Sequence, residues 1–277
     1  MLSTVANALV RTFLAPSCVA CRLELDHPLA SPVCERCWLQ VAAVSPPWCS
    51  RCGDELPPEA EPGSARPRDS ASAAERMGVE CARCQHQPPS FAIARSAGRY
   101  EGPLREIVHV FKYNQRRLLA EPLGRMMRFA GADVLHEADA VIPVPLHPLR
   151  SLRRGFNQAD DLARQLGLPV WRALRRRRHG PPQATLPAPD RHRNLKSAFA
   201  LSYGFALRER WGRYPLRGRT VVLIDDVMTT GATLDACGSV LLDAGVRSVR
   251  ALTAARAVAA PPRPPLAKPP LSRPPHR

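Results

Sequence analysis

The sequence predicts an α/β protein, a parallel sheet flanked by helices and preceded by a small cysteine-rich N-terminal module, and three observations predict it. Eight of the nine cysteines fall into four Cys-x-x-Cys pairs within the first third of the chain. The apolar run Val221-Val222-Leu223-Ile224 ends in Asp225-Asp226, and a short hydroxyl-rich turn and a helical pattern follow. Another strand, Val246 to Ala254, comes after that helix, so the segment is a βαβ unit of the kind that builds parallel sheets.

The cysteine pairs are Cys18/Cys21, Cys34/Cys37, Cys49/Cys52 and Cys81/Cys84, two complete sets of four thiolates. Two residues between thiolates let the backbone turn as a knuckle and aim both sulfurs at one ion, and tetrahedral zinc takes two knuckles per site. A disulfide framework would not space every cysteine so regularly, and redox Cys-x-x-Cys motifs seldom come four to a chain. Sequential ribbons (18/21/34/37 and 49/52/81/84) and a cross-braced arrangement use the same residues; the 12 residues between Cys21 and Cys34 suit a short hairpin and favour the sequential order. With four sulfurs per ion the sites are closed, so the two zinc ions are structural. His27 and His86 are then surface histidines, and Cys237 is a small buried core residue.

In the βαβ unit the helix carries Leu234, Val240 and Leu241 and stops at Ala244-Gly245, a glycine C-terminus. The turn Thr229-Thr230-Gly231-Ala232-Thr233 opens that helix at the carboxyl end of a buried parallel strand, where ligands of open α/β sheets bind. Free backbone N–H groups, hydroxyls and the positive helix end converge there, which suits a phosphate. Asp225 and Asp226 would repel that anion unless they face something else, and the vicinal hydroxyls of a ribose, with or without magnesium, fit.

From Val221 to Thr233 the segment resembles the phosphoribosyl pyrophosphate signature of the type I phosphoribosyltransferases. The resemblance implies that Asp225 and Asp226 hold the ribose 2- and 3-hydroxyls and that Thr229, Thr230, Gly231, Ala232 and Thr233 wrap the 5-phosphate. Upstream lie the strand and proline-stiffened loop Val141-Ile142-Pro143-Val144-Pro145-Leu146-His147-Pro148, then Arg153-Arg154-Gly155-Phe156-Asn157-Gln158. Cysteine pairs, this loop and the phosphate motif, in that order, resemble the ComF family, zinc-ribbon phosphoribosyltransferase homologues associated with DNA uptake. Phe111-Lys112-Tyr113 and the set Gln183, Arg191, Asn194 and Phe199 extend the resemblance, which runs from about Leu9 to Val258. It departs in a longer insertion after Cys52, in Gly180 where the family tends to have Thr, and in the proline-rich tail.

The expected architecture is a zinc module over residues 1–89, with an N-terminal helix and, from its proline-rich polar composition, a flexible insertion at about 55–78, then a phosphoribosyltransferase domain over 90–258 and a disordered proline-rich basic tail over 259–277. Arg153 and Arg154 would close over the pyrophosphate as catalytic residues beside Asp225 and Asp226, Lys112 would contact substrate, and a hood would come from Arg172 to Phe199. Magnesium phosphoribosyl pyrophosphate is the expected ligand. The expected partners are single-stranded DNA or DNA-uptake proteins, and a second copy in a homodimer.

Charge agrees with an anionic ligand. Lys and Arg number 40 against 24 Asp and Glu, a formal net charge of +16, with one basic group at Arg172 and Arg175 to Arg178 and another in the tail. Such a surface attracts phosphates, nucleotides or nucleic acid at long range. Met1 to Leu14 has the apolar spacing of a helix face at Leu2, Val5, Leu9 and Phe13 but is interrupted by Arg11, and forms no convincing secretory signal. No apolar run approaches the ~18 residues that would span a bilayer. A cytoplasmic protein is therefore expected, as a phosphoribosyl-transferring enzyme, a nucleic-acid handling module or a metabolite sensor.

Overall fold

The computed structural model describes residues 16–56, 78–113, 117–146, 155–177, 198–213 and 216–257. Met1 to Leu14, most of the insertion after Cys52, Arg153, Arg154, Arg178, Gly180, Gln183, Arg191, Asn194 and the tail lie outside them. Among the described residues the strands are β1 (Ile93–Arg99), β2 (Ala140–Pro143), β3 (Leu174–Arg176), β4 (Phe199–Leu201), β5 (Thr220–Met228) and β6 (Ser248–Arg256). The helices are α1 (Glu35–Leu39), α2 (Ala82–His86), α3 (Gly102–Tyr113), α4 (Ala120–Ala130), α5 (Ala132–Leu135), α6 (Gln158–Ala163), α7 (Tyr203–Arg210) and α8 (Ala232–Asp243).

The central sheet has the order β1-β6-β5-β2 with every pairing parallel. Both of its faces are covered, so β5 reads as a continuous apolar run whose successive side chains alternate between two cores. Val222 and Ile224 pack with α3, α4 and α6; Val221 and Leu223 pack with α8 and with the small antiparallel sheet β3-β4. Leu104, Ile107, Val108 and Phe111 of α3 are buried at i, i+3, i+4 and i+7, a stripe that fixes this helix against the sheet. Each such apolar side chain withdrawn from water contributes on the order of 1.5–3 kcal/mol.

The expected βαβ unit is present, with one difference. β5 does not end at Ile224 but continues through Asp225 and Asp226 to Met228, because β6 runs alongside it and keeps pairing as far as Met228 opposite Arg256. The two carboxylates are therefore strand residues.

The N-terminal module consists of two copies of one hairpin. Cys18 N–H donates to Leu23 and Cys49 N–H to Asp54, each at 2.7 Å, and the bridges Ser17–Glu24 and Trp48–Glu55 close the two hairpins. Glu55 and Leu56 thus complete the second hairpin, and the part of the insertion that falls outside the description begins at residue 57. Cys34 and Cys81 then cap α1 and α2 in the same extended conformation, with their N–H groups donating to Cys18 Sγ at 3.4 Å and Cys49 Sγ at 3.3 Å. The module covers the outer edge of β1, where Ala94 N–H donates to Arg51 and Arg99 N–H to Ala42. An edge strand that would otherwise present unpaired amides is closed in this way.

Candidate functional site

Thr229 and Thr230 are exposed at the end of β5, and Gly231 caps α8 in the left-handed region at φ 80°. The left-handed conformation favours glycine there, and a Cβ would stand 2.7 Å from Met228 Cε, which would have to shift to admit it. As N-cap, Gly231 offers no side-chain acceptor to the first amides of α8, and Ala232 N–H has only a long 3.4 Å bond to Thr230 Oγ1. Ala232 and Thr233 are half-buried. The loop therefore presents amides and hydroxyls outward at a helix start, chemistry suited to an anion.

Strand alternation sends the two acids in opposite directions. Asp226 turns to the α3 face, where its Oδ1 lies 2.8 Å from Lys112 Nζ. Asp225 turns to the α8 face. There its negative charge adds to burial in pushing the Cys237 thiol well above its ordinary range, and the charge of Arg176 on β3 works in the other direction. Cys237 is fully buried, as expected of a core residue. Asp225 Oδ1 accepts from the Asp226 N–H at 2.8 Å.

Lys112 is held from several sides. Its ammonium stands 5.8 Å from the centre of the Tyr100 ring, and its carbonyl accepts from Gln158 Nε2 at 3.2 Å. β2 lies beside β5, and Val144 extends the ladder by donating to Ile224. Asn157 Nδ2 returns to the Val144 carbonyl, placing the segment after the proline loop at the same end of the sheet. On the other face β3 and β4 pair antiparallel; residues 178–197 between them, where most of the hood is expected, lie outside the described residues.

The eight predicted zinc ligands gather into two quartets, Cys18/Cys21/Cys34/Cys37 and Cys49/Cys52/Cys81/Cys84, the sequential pairing. Cys18–Cys37, Cys21–Cys34 and Cys52–Cys81 sulfurs are 3.9, 3.7 and 3.7 Å apart. Four sulfurs about 2.3 Å from a tetrahedral zinc ion would stand about 3.8 Å from one another, so the donor sets fit that ion. The Cys52 side chain, hydrogen-bonded to Cys49, pulls the Cys49 thiol down to about 4, and the same neighbour and burial push Cys52 up. Thiols crowded in this way repel one another's charge and suit a dication at their centre. His27 and His86 are exposed and take no part.

Sequence reading gave no place to two arginines. Arg256, at the end of β6, is 2% exposed, with Nε 3.1 Å from Asp54 Oδ1 and Nη1 2.7 Å from the Cys52 carbonyl. Arg83 Nη2 lies 3.5 Å from Cys52 Sγ. The available sign for Arg256 is an arginine closing the mostly apolar second half of its strand, Ala251 to Ala255; for Arg83 it is a basic residue inside a Cys-x-x-Cys pair.

Parallel sheet, phosphate-type loop and two cysteine quartets define a phosphoribosyltransferase-type domain joined to a double zinc-ribbon module. The phosphoribosyl transferase domain family model matches residues 151–268. Competence protein F of Haemophilus influenzae is 32% identical over 250 residues, 87% of this chain and 96% of that protein. DNA utilization protein YhgH of Escherichia coli O6:H1 is 32% identical over 248 residues, 84% of this chain and 93% of its own length. An adenine phosphoribosyltransferase of Corynebacterium kroppenstedtii is 34% identical over 131 residues, 47% of this chain and 58% of that one. The chain belongs to the ComF family. No helix among the described residues is long and apolar enough to cross a membrane.

Proposed function

We propose that the protein binds magnesium phosphoribosyl pyrophosphate at the carboxyl edge of β5 and transfers its phosphoribosyl group to an acceptor in the cytoplasm. The observation that carries this reading is the left-handed Gly231 cap, which leaves the α8 amides and the Thr229 and Thr230 hydroxyls facing outward just after two acids. The 5-phosphate sits on Thr229 to Thr233; Asp225 and Asp226 stand on opposite faces of β5, so for both to accept from the adjacent ribose hydroxyls one carboxylate must swing around the strand end as the sugar phosphate binds. Lys112 holds Asp226 in place and sets a positive charge beside the sugar phosphate. The bond from the anomeric carbon to the pyrophosphate oxygen breaks with its electron pair leaving on pyrophosphate, and the acceptor supplies the pair for the new bond. Arg153 and Arg154 stabilise the charge on the leaving pyrophosphate, and magnesium bound with the substrate would add its own positive charge there.

Isothermal titration with magnesium phosphoribosyl pyrophosphate is the test. Saturable binding by the wild type that is lost in Asp225→Asn/Asp226→Asn supports the reading; no binding by the zinc-loaded wild type overturns it. Pyrophosphate release in a metabolite extract, present for wild type and lost in the double variant, separates a transferase from a sensor.

A second reading, handling of single-stranded nucleic acid, is favoured by a basic and aromatic surface. The Arg175 guanidinium lies 4.1 Å from the centre of the Tyr203 ring. Tyr203, Leu207 and Trp211 are exposed at successive helical turns, with Arg208, Arg210 and Arg213 exposed among them. Stacking platforms flanked by arginine suit single strands, and the names of the relatives agree. Single-stranded DNA binding that weakens steeply with salt and is lost in Tyr203→Ala/Trp211→Ala supports it; affinity unchanged by both overturns it.

A further inference from the structure

We infer that Arg256 is a positioning residue through which the second cysteine quartet sets the geometry of the phosphate loop. The inference rests on the proposed role of that loop and adds the element that holds it. Arg256 belongs to β6, yet nearly all that its buried guanidinium touches comes from the ribbon. Nε reaches Asp54 Oδ1 at 3.1 Å, Nη1 reaches the Cys52 carbonyl at 2.7 Å, and Nη2 points at Cys52 Sγ at 4.0 Å. The remaining contact of Nη1 is Met228 Sδ at 3.0 Å, on the last residue of β5.

Met228 is where the ribbon meets the loop. Its Sδ takes the Arg256 donor, and its Cε lies against Gly231, 2.7 Å from where a Cβ would stand, so the Met228 side chain would have to move to admit one. Its carbonyl accepts from Ala257 N–H at 2.9 Å, which ties the ends of β5 and β6 together. The line Cys52–Arg256–Met228–Gly231 thus runs from a metal ligand to the cap of α8 through buried side chains. A cavity of about 200 Å³ is walled on one side by Cys52, Cys84 and Arg83 and on the other by Thr230, Gly231 and Ala232. Arg83 Nη2 also points at Cys52 Sγ, 3.5 Å away, so two guanidinium groups face the sulfur of that ligand.

A buried guanidinium requires its partners. If the second quartet opens, the Cys52 carbonyl and thiolate and Asp54 move away together, and a charge in a 2% exposed site loses its acceptors. The arginine must then reorient, and Met228 loses the contact that packs it against Gly231. The first quartet, by contrast, packs in the core on the α3 and α4 face of the sheet. The two clusters are therefore predicted to differ in what they control, although their hairpins are alike.

The test uses the full-length protein with zinc counted by native mass spectrometry. Hydrogen exchange of a peptide covering Thr229 to Leu234 reads the loop directly, and titration with magnesium phosphoribosyl pyrophosphate reads its use. Asp54→Asn and Cys81→Ser are expected to speed exchange in that peptide and weaken binding by about tenfold or more, the usual scale for residues that orient a site from behind. Cys21→Ser, in the first quartet, should leave the peptide's exchange unchanged. Arg256→Met should match Asp54→Asn and Arg256→Lys should recover part of the loss; if Arg256→Met does not fold, Asp54→Asn, at a partly exposed position, decides. Loop exchange unchanged in both Asp54→Asn and Cys81→Ser, or raised equally by Cys21→Ser, overturns the inference. Absence of phosphoribosyl pyrophosphate binding by the wild type would overturn the proposed function alone, since the exchange arm needs no ligand.

Discussion

Lys112 Nζ lies 2.8 Å from Asp226 Oδ1, so the last turn of α3 is tied to the carboxyl half of β5 by one ion pair between mostly buried groups. Removing the cation leaves the carboxylate with its desolvation uncompensated. Lys112→Met is expected to cost about 2–3 kcal/mol of stability, measured by urea unfolding of zinc-loaded protein. Lys112→Met/Asp226→Asn should recover part of that cost. A double variant no more stable than the single would show that the lysine acts through packing alone.

The sequential ribbons make a prediction that a cross-braced module would fail. Cys21 and Cys34 belong to one quartet, whereas Cys21 and Cys52 belong to two. Native mass spectrometry of Cys21→Ser/Cys34→Ser should find one zinc ion retained, and Cys21→Ser/Cys52→Ser should retain none. Cross-bracing of the four pairs would give the reverse result.

Much of this arrangement was legible in the chain because its determinants are local. Cysteine spacing specifies the ligands, four consecutive apolar residues specify a doubly covered strand, and Thr-Thr-Gly-Ala-Thr specifies a turn into a helix. The end of β5 was not legible: Asp225 and Asp226 read as a stop, but the neighbouring strand β6 supplies partners as far as Met228. The Lys112 to Asp226 pair joins residues more than a hundred positions apart, and no short-range pattern reports it. The same holds for Arg256, whose acceptors in Cys52 and Asp54 lie about two hundred residues earlier. In both cases the residue type was visible and its partner was set by topology.

The two knuckles differ in one instructive residue. Arg22 and Gly53 follow the second cysteine of their hairpins and share the left-handed conformation, at φ 65° and 67°. A Cβ at Gly53 would meet the Ala94 carbonyl at 2.6 Å, because the second hairpin lies against β1. Gly53→Ala should therefore destabilise by more than the ~1–2 kcal/mol cost of that conformation alone, whereas Arg22→Gly should stabilise by up to about 1 kcal/mol. Thermal unfolding of the two variants checks the contrast, and equal effects in sign and size would refute the steric account.

Asp139 predicts how stability responds to acid. Its Oδ2 accepts the Thr220 N–H at 2.8 Å and its Oδ1 the Arg219 guanidinium at 2.7 Å, which fixes the start of β5 beside the entry to β2. The Thr220 bond, and after the opposing effect of burial the Arg219 contact, hold its carboxyl below the ordinary value of 3.8. A depressed pKa in the folded chain means that the unfolded chain takes up the proton first as pH falls. The stabilisation is then complete above the unfolded value of about 3.9 and disappears as pH drops through the lower folded value. Asp139→Asn should cost about 1–2 kcal/mol at pH 7, and its stability should approach that of wild type as pH falls below the unfolded value of about 3.9. Acid also releases metal from thiolates in both proteins, so the quantity to measure is the difference between their urea midpoints at each pH. A difference that persists undiminished at about pH 3, below the unfolded value, would show that Asp139 contributes through its shape and not its charge.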